Sequence, residues 1–247
     1  MGKGKLKKFQ EMETFKHVVQ VPYKILKQND FYLKGKWAEE FFKNENPIIL
    51  ELGCGKGEYT VALAELNPGF NYIGVDIKGA RLFTGAKQAI QKDLTNVAFL
   101  RTNIEIITQF FAENEISEIW LTFPDPQMKK TRKRLTSTTF LNKYKHFLRK
   151  GGIIHLKTDS NFQYTYTHAL VQMNKFEVLA KTDNLYESEL LTETLQIKTF
   201  YEKQWLSRGI TIKYISFKLN NKEFLEPDIE IQKDGYRSFG RSAQDIH

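Results

Sequence analysis

Apolar positions along the chain alternate between short continuous runs and stretches of helical period. Ile48-Ile49-Leu50-Glu51-Leu52 is a run that breaks into Gly53-Cys54-Gly55-Lys56-Gly57, as a buried strand entering a tight turn would. Glu58 to Leu66 then reads as a helix stopped near Asn67-Pro68-Gly69. Phe70 to Ile77 predicts a second strand, and Phe83, Ala86, Ile90 and Leu94 a helix. Val97 to Leu100 predicts a third strand, Ile106, Ile107 and Phe110 a short helix, and Glu118 to Phe123 a fourth strand. Phe140, Leu141, Tyr144, Phe147 and Leu148 make another helical face, with Gly151-Gly152 as its stop, before a fifth strand at Ile153 to Lys157. Ser160 is placed to cap a helix carrying Phe162, Tyr166, Ala169, Leu170 and Met173, and Phe176 to Ala180 and Ile210 to Leu219 alternate like a sixth and seventh strand. Strands separated by helices in this way predict an α/β fold, a seven-stranded and mostly parallel sheet with helices on both faces.

The two ends fall outside the alternation. Residues 1–20 read as a basic N-terminal arm that orders on contact with a partner, residues 21–219 as the folded domain, and residues 220–247 as a C-terminal tail of unassigned role. Hydrophobic content of 41% and charged content of 27% are globular values, and no apolar run approaches the roughly 18 residues needed to span a bilayer. The N-terminus lacks the apolar stretch of a signal peptide. Cys54 is the single cysteine, so no internal disulfide is expected, and the scattered histidines predict no metal. A cytoplasmic protein without a membrane or metal partner fits these features, and either a monomer or a homodimer is compatible with them.

Charge adds direction. The net charge is +8, yet Lys3, Lys5, Lys7 and Lys8 sit in one acid-free segment, and Lys129, Lys130, Arg132, Lys133 and Arg134 in another. The rest of the chain is close to neutral. Two local basic segments favour a directed contact with nucleic acid, with Lys130, Arg132, Lys133 and Arg134 as phosphate ligands beside Lys129.

The chemistry lies where strands end. Glycines at the first strand-to-helix turn permit close approach of a ligand, which makes Gly53 and Gly55 candidates for cofactor binding, and Asp76 is placed to accept hydrogen bonds from a ribose diol. Pro124 and Pro126 cannot donate ladder hydrogen bonds, so the fourth strand stops there and holds Asp125 at its end. By itself Pro124-Asp125-Pro126 is also compatible with an ordinary turn followed by a solvated charge run.

Glu51-Leu52-Gly53-Cys54-Gly55-Lys56-Gly57, the Gly74-Val75-Asp76 strand end and the final two strands resemble the Rossmann-like class I S-adenosylmethionine-dependent methyltransferases. Phe123-Pro124-Asp125-Pro126, Lys157-Thr158-Asp159 and Thr199-Phe200-Tyr201-Glu202 narrow the resemblance to the bacterial tRNA guanine-N7 methyltransferases, over about residues 1–219. Membership of that family implies methylation of guanine 46 in the tRNA variable loop. It implies S-adenosylmethionine contacts at Glu51, Asp76, Asn103 and Asp125, with Asp125 catalytic, and substrate contacts at Lys129, Asp159, Thr199, Phe200, Tyr201 and Glu202. The family commonly continues Pro-Asp-Pro with tryptophan, where this chain has Gln127.

Guanine N7 carries an available lone pair, so its methylation needs positioning more than a base. An ionised Asp125 would stabilise the positive charge that develops on the purine. Glu202 has two rationales. A carboxylate matches the N1–H and amine edge of guanine, and Thr199-x-x-Glu202 also fits a helix capping box. Asp159 likewise could help to cap the helix beginning near Ser160. Two other functions remain compatible with parts of the pattern. A nicotinamide-dependent oxidoreductase would suit the glycine loop and Asp76, and a non-catalytic RNA-binding protein would suit the basic segments.

Overall fold

The structure is a computed structural model that describes residues 3–220 and 223–237. Eight strands form one sheet: β1 (Val18–Gln20), β2 (Ile48–Leu52), β3 (Asn71–Asp76), β4 (Val97–Arg101), β5 (Ile116–Thr122), β6 (Leu148–Thr158), β7 (Glu177–Thr182) and β8 (Lys213–Lys218). Their order across the sheet is β1-β4-β3-β2-β5-β6-β8-β7. Strands β1 to β6 pair in parallel, whereas β8 runs antiparallel to both β6 and β7.

Both faces of the central strands are covered, which is why they read as unbroken apolar runs rather than as alternations. Leu50, Leu52, Ile73, Val75, Ile119 and Leu121 point into one core, with Phe140, Tyr144, Tyr166 and Leu170 from the covering helices. Ile49, Tyr72, Phe99 and Trp120 point into the other, with Tyr59, Leu63, Leu82 and Ala86. Chain order reverses between β2 and β5, and the crevice outside their carboxyl ends is the place where open α/β sheets bind ligands.

Three features differ from the sequence-based expectation. The sheet has eight strands rather than seven, because Val18-Val19-Gln20 adds in parallel to β4 at the edge, inside the segment expected to be an arm. Lys3–Glu13 is a helix, since Phe9 and Met12 lie one turn apart and pack on the helix Gly79–Gln91 side of the sheet, where Met12 is buried. Gly151-Gly152 does not stop a helix. That helix ends at Tyr144, and Gly151, at φ 72°, lies in β6 where pairing with β5 jumps from Leu148 to Ile153. Among the described residues no helix is long and apolar enough to cross a membrane.

Candidate active site

The β2 turn is built by backbone contacts. The N–H groups of Gly53 and Cys54 both donate to the Val75 carbonyl, at 2.8 and 3.0 Å, which folds the loop back over the end of β3. Gly57 starts the helix Glu58–Leu66 at φ 70°, and a Cβ there would lie 2.6 Å from the Phe99 ring, so only glycine fits. Burial pushes the Cys54 thiol well above its usual range, so it fills space as a neutral group.

Asp76 closes the loop from the next strand. One carboxylate oxygen accepts the Gly55 N–H at 3.0 Å and the other the Lys78 N–H at 2.7 Å. Asn103 lies beyond the end of β4 and caps the following turn by accepting the Glu105 N–H at 3.0 Å. Asp76, Asn103 and Asp125, with Ile77, Ile104 and Leu135, line one cleft of about 470 Å³, a size suited to a nucleoside-containing ligand.

Asp125 is exposed at the rim of that cleft. It stands between two non-glycine residues in the left-handed region, Phe123 at φ 51° and Gln127 at φ 46°. Backbone held in this costly region marks a loop whose shape is imposed by its surroundings. The imposing contacts are visible: Phe123 N–H donates to the Lys157 carbonyl at 2.8 Å, and Gln127 N–H to Asp125 Oδ1 at 3.0 Å. The Gln127 carbonyl accepts Lys130 N–H and Arg134 Nε. Gln127 therefore serves the loop through its backbone and lines the cleft with an amide.

Glu51 is brought to the same turn but lies beneath it, not in the cleft lining. Its carboxylate accepts hydroxyl hydrogen bonds from Thr60 and Thr122, tying β2 to the glycine-loop helix and to β5. Burial raises its pKa to about 7 against the opposing effect of the two hydroxyls.

The basic run divides. Lys129, Lys130 and Arg132 are exposed, and Lys130 and Lys133 line the cleft. Lys133 pairs with Glu105. Arg134 is set apart from the rest of the expected phosphate set: only 7% exposed, it donates to the Gln127 and Met128 carbonyls and lies 4.7 and 4.4 Å from the ring centres of Phe162 and Tyr166. It is a brace for the Asp125 loop.

The expected substrate segment also divides. Phe200 and Tyr201 are exposed, with Lys56 over the Phe200 ring at 4.2 Å and Arg81 over that of Tyr201 at 6.0 Å. Thr199 and Glu202 form the capping box that their spacing allowed. Glu202 is fully buried. One of its oxygens meets Lys157 Nζ at 2.8 Å and the Tyr186 hydroxyl at 2.6 Å, and the other accepts the Thr199 N–H. Guanine recognition would require this ion pair to open, so in the described conformation Glu202 holds the segment rather than presenting an edge to a base. Lys157, whose amine burial pushes down, also donates to the Leu195 and Ile197 carbonyls at 2.8 Å each. Asp159 is 1% exposed and accepts the Tyr236 hydroxyl at 2.7 Å. The expected helix cap is present at Ser160, and Asp234 reinforces it. The sequence pattern did not single out Tyr186, Asp234 or Tyr236, because each meets its partner from a non-periodic stretch.

Comparisons with known proteins bear on the fold and the family. A family described as putative methyltransferase matches residues 45–215. A solved structure titled "Structure of an antibiotic related Methyltransferase" superposes with a TM-score of 0.57, covering 77% of this chain and 96% of its own, at 19% identity, which speaks for the fold alone. A tRNA (guanine-N(7)-)-methyltransferase of Bacteroides fragilis (strain YCH46) is 58% identical over 99% of this chain and 97% of its own. The protein of the same name in Porphyromonas gingivalis (strain ATCC BAA-308 / W83) is 57% identical over 94% and 98%. Neither the oxidoreductase nor the non-catalytic RNA-binding reading finds support among these relatives. With identity this high across nearly the whole of both chains, and the glycine loop and Asp125 on one crevice, the chain belongs to the tRNA (guanine-N(7)-)-methyltransferase family.

Proposed function

We propose that this enzyme methylates N7 of guanine 46 in the tRNA variable loop, in the cytoplasm, with S-adenosylmethionine as methyl donor. The observation that carries the reading is the exposed Asp125 carboxylate, held between two left-handed residues at the rim of a nucleoside-sized cleft. The donor set fits the cofactor: Asp76 supplies acceptors for a ribose diol, Asn103 a side-chain amide, and the loop at Gly53 and Gly55 a close backbone approach. When bound, S-adenosylmethionine supplies a methyl group on a sulfonium, an electrophile that an unprotonated ring nitrogen accepts.

Guanine N7 bears no proton, so Asp125 has none to remove. Its carboxylate orients the base and stabilises positive charge developing on the purine. Lys129, Lys130 and Arg132 engage phosphates, and exposed Phe200 and Tyr201 offer faces to a base, while Glu51, Asp159, Thr199 and Glu202 act as supports behind them. The test is to methylate unmodified tRNA with labelled cofactor and map the product nucleotide. N7-methylguanine at position 46 is expected, and label at another nucleotide would overturn the assignment.

A further inference from the structure

The tail residues 223–237 run back along the helix Asn161–Met173 from its end to its start. Leu225 N–H donates to Asn174 Oδ1 at 2.6 Å, and the Leu225 carbonyl accepts Asn174 Nδ2 at 2.8 Å. Glu226 accepts the Thr138 N–H and hydroxyl, at 3.2 and 2.7 Å, and the Tyr166 hydroxyl. Asp234, itself buried, accepts the Phe162 N–H at 3.0 Å and the Ser160 hydroxyl. This docking delivers Tyr236 to the carboxyl-end edge of the sheet. Its hydroxyl donates to Asp159 just beyond β6, and its ring lies 5.3 Å from that of Trp205, edge to face.

Trp205 continues a row. It follows Tyr201 by four residues in the helix Phe200–Ser207, so the two share a face, and Tyr201 is 41% exposed while Trp205 and Tyr236 are half-buried. Arg81 lies over Tyr201, and Arg208 over Trp205 at 5.2 Å. Aromatic faces interleaved with arginines suit unpaired nucleobases, which stack on any such face while the cations meet the backbone.

We propose that the C-terminal segment completes the RNA side of the site: Tyr236, docked by Asp159 and Asp234, extends the Tyr201–Trp205 row into a wall on which an unpaired base of the tRNA stacks. The inference rests on the tRNA reading above. Asp159 acts through Tyr236 as a positioning residue.

Steady-state methyl transfer to unmodified tRNA by the full chain tests it. Tyr236→Ala should raise the KM for tRNA about tenfold, the order of one lost stacking partner, with kcat and S-adenosylmethionine affinity close to wild type, while loss of the donor to buried Asp159 lowers Tm by a few degrees. Tyr236→Phe and Asp159→Asn, which keep the ring but loosen it, should each raise KM about threefold, and their double variant no further than the single ones, as for one shared contact. Trp37 and Trp120 are buried, so tRNA should quench fluorescence that Trp205→Phe removes. An unchanged KM in Tyr236→Ala, with the wild type methylating guanine N7, overturns this inference alone. A lowered KM overturns it too, since the segment would then cover the site. A wild type that leaves guanine N7 unmethylated sinks the proposed function instead.

Discussion

Replacing Glu202 by glutamine preserves shape and removes one negative charge from a fully buried pair. Lys157, also fully buried, would keep the Leu195 and Ile197 carbonyls but lose the carboxylate 2.8 Å away. Removing one partner of a buried pair costs about 3–5 kcal/mol, and the two retained carbonyls place this case near the lower end, about 3 kcal/mol. In a chain of this size, about 2–4 °C of Tm accompanies each kcal/mol, so a fall of roughly 6–12 °C is expected. The deficit should also narrow with rising pH. Burial lowers the folded-state pKa of Lys157, so the unfolded chain holds more protons than the folded one in that window, and stability climbs as the amine becomes neutral. Losing Glu202 removes the largest influence that keeps the amine charged, which widens the window. Urea denaturation at pH 7 and pH 9, beside tRNA methylation kinetics on the same preparations, measures both quantities. Adding Lys157→Met to Glu202→Gln should recover part of the lost stability, because no buried charge is then left alone. If Glu202→Gln melts within about 2 °C of wild type while kcat/KM collapses, the reasoning fails, and Glu202 reads the base rather than holding the segment.

Four further outcomes follow from the same geometry. Glu51, raised to about 7 by burial from 4.5, holds a proton in the folded state that the unfolded chain releases, so stability should fall as pH rises through that window, by on the order of 3 kcal/mol. Glu51→Gln should lack that slope in urea titrations at pH 5 and pH 8, and an equal slope in both proteins would remove Glu51 as its source. Lys129→Ala, Lys130→Ala and Arg132→Ala should each flatten the dependence of log affinity for tRNA on log salt by about 0.7–0.9. Arg134→Ala should leave that slope unchanged but cost about 2–4 kcal/mol in denaturant unfolding, through lost ring contacts and carbonyl hydrogen bonds. Asp125→Asn should lower kcat about a hundredfold with little change in Tm, since Asp125 is exposed, and a kcat near wild type would remove it from the reaction.

The central strands and their helices were legible because burial on both faces leaves continuous apolar runs, and Gly53 to Gly57 and Asp76 mark the carboxyl ends of two of them. Edge and depth were not legible. Val18-Val19-Gln20 is too short for a periodic signal and becomes a strand only through its partner β4. Arg134 and Lys130 look alike in a basic run, and what separates them is the Phe162 and Tyr166 rings that cover one and not the other. The carboxylates show the same limit. The family resemblance implied ligands at Glu51, Asp159 and Glu202, whereas their hydroxyl partners Thr122, Tyr236 and Tyr186 come from distant segments whose approach no local pattern announces.

Those buried supports join the two halves of the site. From the helix after the glycine loop, the Tyr59 hydroxyl donates to the Thr194 carbonyl at 2.8 Å, and Glu58 accepts the Phe200 N–H at 3.1 Å. Lys56, within the loop, lies over the Phe200 ring. Lys157 holds the Leu195 and Ile197 carbonyls and Glu202 from below, and its own carbonyl accepts Phe123 N–H in the Asp125 loop. One lysine thus ties the loop that presents Asp125 to the segment that presents Phe200 and Tyr201, and the cofactor-side helix ties that segment to the glycine loop. A shift of the segment that presents Phe200 and Tyr201 strains hydrogen bonds to both of the others. For the proposed reaction these ties would set the spacing between donor and base before either arrives, the preorganisation that in-line transfer to a nitrogen without a proton requires.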